Sequence, residues 1–167
     1  YDEANKTLLK AISLDNKNIV ILNSLGRLNH ELRKSKEAEI YFDKAFILDP
    51  NSFETLNNMA GFLLEEGDYQ KAINFYKKAE KLNPNNSILI NNLAKTFIFI
   101  NDIEKAEKYC RKAISIDKNN DEFKIMEFII KKVSKIYKSF EFNLIYSIKD
   151  IRPFLWFNYG NKTTDKF

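Results

Sequence analysis

The sequence predicts an all-α solenoid of antiparallel helix pairs closed by a C-terminal capping helix. Three observations predict it: self-similarity at a period of 34 residues, small residues at fixed points of that period, and large apolar residues between them at helical spacing. Residues 19–52, 53–86 and 87–120 superpose as three units, and residues 1–18 match the second half of the same unit. Numbered within the unit, position 8 reads Gly26, Ala60, Ala94, position 20 reads Ala4, Ala38, Ala72, Ala106, and position 27 reads Ala11, Ala45, Ala79, Ala113. Every alanine of the chain falls on one of these three positions. Small side chains are needed where helix backbones cross closely, so these positions mark the crossings.

Each unit reads as two helices. Leu22, Leu56 and Ile90 at position 4, Leu25, Met59 and Leu93 at position 7, and Leu8, Phe42, Tyr76 and Cys110 at position 24 recur at spacings of three, four and seven. Punctuation separates the helices. Gly67 then Asp68 suit a left-handed helix end followed by an N-cap, and Asn101-Asp102 can do the same one unit later. Arg33-Lys34 at the equivalent place are poor turn formers, so that turn is expected to be less regular. Pro50 and Pro84 stop the second helices, and Asn51-Ser52 and Asn85 to Ser87 cap the next ones.

These residues carry a resemblance to the tetratricopeptide repeat family, spanning residues 1–120: Leu25-Gly26, Met59-Ala60 and Leu93-Ala94, Tyr1 and Tyr69 at position 17, the alanines, Phe42 and Tyr76, and both prolines. The chain departs from the family pattern at the aliphatic position 4 and at Asn16 and Lys118, where proline is usual. The resemblance implies a right-handed superhelix that serves as an interaction scaffold. It also implies that positions 2, 5, 6, 9, 12 and 13 of each first helix line a concave groove.

After Asn120 the repeat stops: Phe128 stands where a small residue is required, while Phe123, Met126, Ile130, Val133, Tyr137 and Phe140 form the inner stripe of one long helix. Residues 1–140 are therefore read as the solenoid, with 121–140 as its capping helix. Residues 141–167 form an aromatic-rich extension, begun by an alternating stretch from Phe142 that suits a strand; it either folds back or opens a further module. The chain opens in mid-unit, so native sequence is expected before Tyr1.

Composition excludes several classes. The net charge is +4, yet residues 1–120 carry 18 basic and 17 acidic side chains, unlike the one-sign stripe of a protein that rides on phosphate backbones. Nucleic-acid binding ranks third. No apolar run approaches the roughly 20 residues that span a bilayer, so membrane insertion is not expected. One cysteine, Cys110, makes no internal disulfide, and a cytoplasmic setting is the default. His30 and Cys110 lie in different units, Glu65 and Glu66 point about 100° apart on a helix, and no phosphate-binding loop occurs. Catalytic residues, metal and cofactor are therefore not expected in this portion.

The groove positions carried over from the resemblance define the expected site. Position 5 is Asn23, Asn57, Asn91 and position 6 is Ser24, Asn58, Asn92, a row of amides able to pair with the backbone of an extended peptide. It is similar to the asparagine ladder in the arm of protein O-linked N-acetylglucosamine transferases. Arg27 and Lys95 at position 9 add charge, and Ile88, Ile98 and Phe99 add an apolar end. The clamp for acidic chaperone tails is matched outright only by Asn58. The leading expectation is a peptide- or protein-binding scaffold. The alternative is the substrate-recruiting arm of a larger enzyme, for example a glycosyltransferase. Neither partner identity nor oligomeric state is fixed by the sequence.

Overall fold

A computed structural model of the chain describes residues 2–139. Among them are eight α-helices and no strand: α1 (Asp2–Leu14), α2 (Ile19–Glu31), α3 (Ser35–Leu48), α4 (Phe53–Glu66), α5 (Tyr69–Leu82), α6 (Ser87–Phe99), α7 (Ile103–Ile116) and α8 (Asp121–Ser139). The all-α helical-repeat class expected from the periodicity is the one observed. The expected strand from Phe142, the aromatic extension and the last residue of the stripe, Phe140, lie outside the described residues.

The chain divides into two compact units, Tyr1–Leu89 and Ile90–Phe167. In the first, α2 pairs with α3 and α4 with α5, and α2 and α3 both meet α4. Leu22, Leu25 and Leu56 are buried together with Ala38, Ala45, Ala60, Ala72 and Ala79, the small residues at the crossings. Phe42, Met59 and Phe62 form a cluster with Ala38, flanked by Phe46, Leu63 and Phe75. Gly26 shows how tight a crossing is: a Cβ there would stand 2.5 Å from Phe42 Cε1 and 2.8 Å from Cζ. The residue at position 24 is Phe42 in this unit, Tyr76 in the unit of Ala60 and Cys110 in the unit of Ala94.

In the second unit α7 packs on α8. Ile90, Leu93, Ala94, Ala106, Cys110 and Ala113 are buried, and Phe97 stacks on Tyr109 with ring centroids 5.3 Å apart. The stripe Phe123, Met126, Ile130, Val133 of α8 is buried as its spacing predicts. Outside that stripe α8 carries paired charges: Lys131 pairs with Glu127 at 2.9 Å and Lys124 with Asp121 at 2.9 Å.

Caps follow the sequence. Ser52 accepts from the Thr55 amide, Asn86 from Leu89, Asp68 from Lys71 and Asp102 from Lys105. The turns at Asn16 and Lys118, where the family has proline, keep the aspartate bond of the turn that retains Pro50: Asp15 and Asp117 accept from the amides of Lys17 and Asn119, as Asp49 does from Asn51.

One expectation about the turns is corrected. The Arg33-Lys34 turn is not less regular than the others. Arg33 adopts φ 61°, in register with Gly67 at 87° and Asn101 at 63°. The same pair of backbone bonds closes each turn, Arg33 to His30 and Lys34 to Asn29 matching Gly67 to Leu64 and Asp68 to Leu63. Burial of the flanking helices imposes the left-handed residue whatever its own preference, and the sequence pays locally: Lys34 offers no side-chain cap.

Candidate functional site

The expected groove residues fall into three groups. Arg27 on α2 is exposed, Asn57 and Asn58 on α4 are half-buried, and Phe99 on α6 is half-buried. Asn92 is buried. Asn23, Asn91, Lys95 and Ile98 are also buried, at 1, 1, 5 and 0 % exposure, so they do not stand on an open wall.

The reason is the direction of position 5, which points toward the next unit's first helix rather than to solvent. In the first compact unit the Asn23 amide donates to Thr55 Oγ1 at 2.9 Å. In the second, the Asn91 amide donates to Glu122 Oε1 at 3.4 Å, and the Lys95 ammonium donates to the same carboxylate oxygen. Lys95 and Ile98 belong to a stretch of α6 that is enclosed all round, residues 90–98 being buried whether apolar or polar. Of the expected apolar end, Ile98 is therefore core while Ile88 remains exposed.

The amides nonetheless share a property that sequence reasoning could not see. Among the described residues, the buried side-chain polar atoms lacking a hydrogen-bond partner are Asn23 Oδ1, Asn57 Oδ1, Asn58 Nδ2 and Asn91 Oδ1. All four belong to the row at positions 5 and 6. Leaving a buried polar group unpaired costs about 1–3 kcal/mol, so a repeated acceptor of this kind needs an explanation. On α4 one acceptor, Asn57 Oδ1, and one donor, Asn58 Nδ2, are left without partners.

Two partners of this site went unrecognised. Thr55 is the polar exception at position 3, where the other units have Ile21, Leu89 and Phe123, and that exception was the available signal. Glu122 gave none, since its partner Lys95 lies 27 residues earlier. Glu65 and Glu66 are also more than a solvated pair. His30 Nε2 lies 3.3 Å from Glu65 and 3.8 Å from Glu66, its ring edge-on to Phe62, and the Ser35 hydroxyl donates to Glu66 at 2.7 Å. Burial pushes the Glu65 carboxyl above its ordinary range, opposed by His30 and Arg33.

Burial raises the Cys110 thiol to about 11, so it is a neutral core group at pH 7, its Sγ donating to the Phe123 carbonyl. Among the described residues no three His, Cys, Asp or Glu side chains are grouped to hold a metal ion. No helix among them is long and apolar enough to cross a membrane.

Tetratricopeptide repeat family models match residues 63–126, 41–74 and 19–52. No curated protein matches the chain. Solved structures do. That of pilF from Pseudomonas aeruginosa is similar with a TM-score of 0.74 and 22% identity over 81% of this chain, which spans 62% of the length of that one. MamA is similar at 0.71 and 20%, covering 80% of this chain and 78% of MamA. YrrB, a repeat protein with an unusual peptide-binding site, is similar at 0.69 and 17%, covering 81% of this chain and 70% of YrrB. At these identities the likeness is one of fold.

Proposed function

The chain belongs to the tetratricopeptide repeat family, and from that premise we propose that it is a non-catalytic interaction scaffold whose first helices take a peptide or protein segment. The observation that carries this reading is the unpaired acceptor of Asn57 beside the unpaired donor of Asn58 on α4. An extended peptide carries both kinds of missing partner, an N–H for the Asn57 oxygen and a C=O for the Asn58 nitrogen, in every sequence. Recognition would then be tolerant of ligand sequence at this point, with the exposed Arg27 of α2 among the side chains able to select it. Asn23 plays a different part in this reading: it is occupied with Thr55 through its amide nitrogen and holds α2 against α4, which presents the pair, while Asn91 is occupied with Glu122. YrrB offers a precedent for peptide binding on this fold. A cytoplasmic setting belongs to the same reading, which needs no disulfide.

The test uses immobilised extended peptides of varied sequence. Asn57→Ala with Asn58→Ala should abolish retention of those the wild type holds, with helicity unchanged by circular dichroism. Equal retention by the double variant would dismiss the amide pair as the binding element.

A further inference from the structure

Helix α8 has a second face. Opposite the buried stripe of Phe123, Met126, Ile130 and Val133, Ile125 and Phe128 are exposed at 49 and 60 %, with half-buried Ile129 beside them. Successive helical residues turn by 100°, so Ile125, Phe128, Ile129, Lys132 and Lys135 fall within one arc of about 120°, which exposed Ile136 and, at its N-terminal end, Asp121 share. Four large apolar residues on one open arc are more than the scattered surface leucine that needs no account.

The charges around this arc are unequal. Of the carboxylates described on α8, Asp121 pairs with Lys124, Glu127 with Lys131, and Glu122 with Lys95. Lys132 lies over the Phe128 ring at 5.3 Å, and neither it nor Lys135 has a carboxylate partner among the described residues. The arc therefore joins an apolar strip to two ammonium groups with no anion of their own. A partner that fits must bring apolar side chains at helical spacing and acidic groups beside them.

We infer that α8 carries a second docking surface, formed by Ile125, Phe128 and Ile129 with Lys132 and Lys135, for an acidic amphipathic helix of a partner protein. The partner's apolar stripe covers Phe128 and the two isoleucines, and its carboxylates pair with the two lysines at the edge. A helix is the matching form because the strip follows the 3.6-residue period, so that one apolar stripe lies along another. The surface uses none of the asparagines of α4 and stands or falls independently of the peptide reading above.

The experiment uses the full 167-residue chain and a labelled synthetic peptide with leucines at alternating three- and four-residue spacing and glutamates flanking them. The controls are a peptide of the same composition with its leucines scattered, and anionic phosphatidylglycerol vesicles. Fluorescence anisotropy should show binding of the striped peptide that weakens with added salt, and at least tenfold weaker binding of the scattered one. Lys132→Glu with Lys135→Glu should weaken the striped peptide about tenfold, and Phe128→Ser should do the same, each hot-spot contact being worth above about 1 kcal/mol. Circular dichroism follows folding, and the exposed lysine pair decides if Phe128→Ser loses helicity. Equal binding of both peptides, unchanged affinity in the lysine variant, or capture by vesicles alone would each overturn the inference.

Discussion

The left-handed residue at the α2–α3 turn gives a prediction whose size follows from the other turns of the same chain. Arg33, Gly67 and Asn101 occupy equivalent positions at φ 61°, 87° and 63°. A side chain with a Cβ pays roughly 1–2 kcal/mol for this conformation, and glycine gives back roughly 0.5–1 kcal/mol through the entropy of its unfolded chain. Arg33→Gly should therefore stabilise the protein by about 0.5–1 kcal/mol. The next residue adds to it. Asp68 and Asp102 accept from the amides of Lys71 and Lys105 at 3.2 and 3.1 Å, whereas Lys34 makes no such bond to the start of α3. Lys34→Asp supplies a cap worth about 1 kcal/mol, somewhat less with Glu66 nearby. For a chain of this length about 1.5 kcal/mol raises Tm by roughly 3–6 °C. Thermal melts and urea titrations of the single and double variants measure it, with an unchanged m-value showing that only stability moved. A fall in midpoint for Arg33→Gly would refute the reasoning, because it would mean that the arginine side chain contributes more than its backbone costs.

Two further outcomes follow from particular contacts. Gly26→Ala should destabilise by about 1–3 kcal/mol despite alanine's better helix propensity, because the new methyl meets the Phe42 ring; the cost should shrink in a Phe42→Cys background, which a double-mutant cycle reads directly. Glu65 has a folded pKa raised by burial above its ordinary 4.5. Its favourable share of stability is thus present below the unfolded value and lost as pH rises through the folded one. Glu65→Gln should remove that loss, so the variant gains on the wild type between about pH 4.5 and 7 in paired urea titrations.

The repeat is legible because its rule is steric. Ala38, Ala72 and Ala106 recur where no larger residue fits, and all are fully enclosed in the structure. The aspartate and asparagine caps are legible for a similar reason, since each satisfies an amide within three residues along the chain. What the sequence hid depends on distance along the chain. Asn23 faces inward because Thr55 receives it 32 residues later, and Lys95 is enclosed because Glu122 answers it. Arg33 misled in another way: a residue's own turn preference says little when flanking helices impose the backbone. On α8 the spacing of the inner stripe was legible, whereas the exposure of Ile125 and Phe128 together on another face was not.

The junctions have a consequence for how such an array can change over generations. One is joined by an amide and a hydroxyl, Asn23 with Thr55, and another by an amide and an ammonium sharing the carboxylate of Glu122. Neighbouring units are keyed to each other by different chemistry, so they are not interchangeable parts. Inserting a further unit between residues 87–120 and α8 would set an enclosed Lys95 against a surface without Glu122, so that junction is closed to the duplication by which repeats multiply.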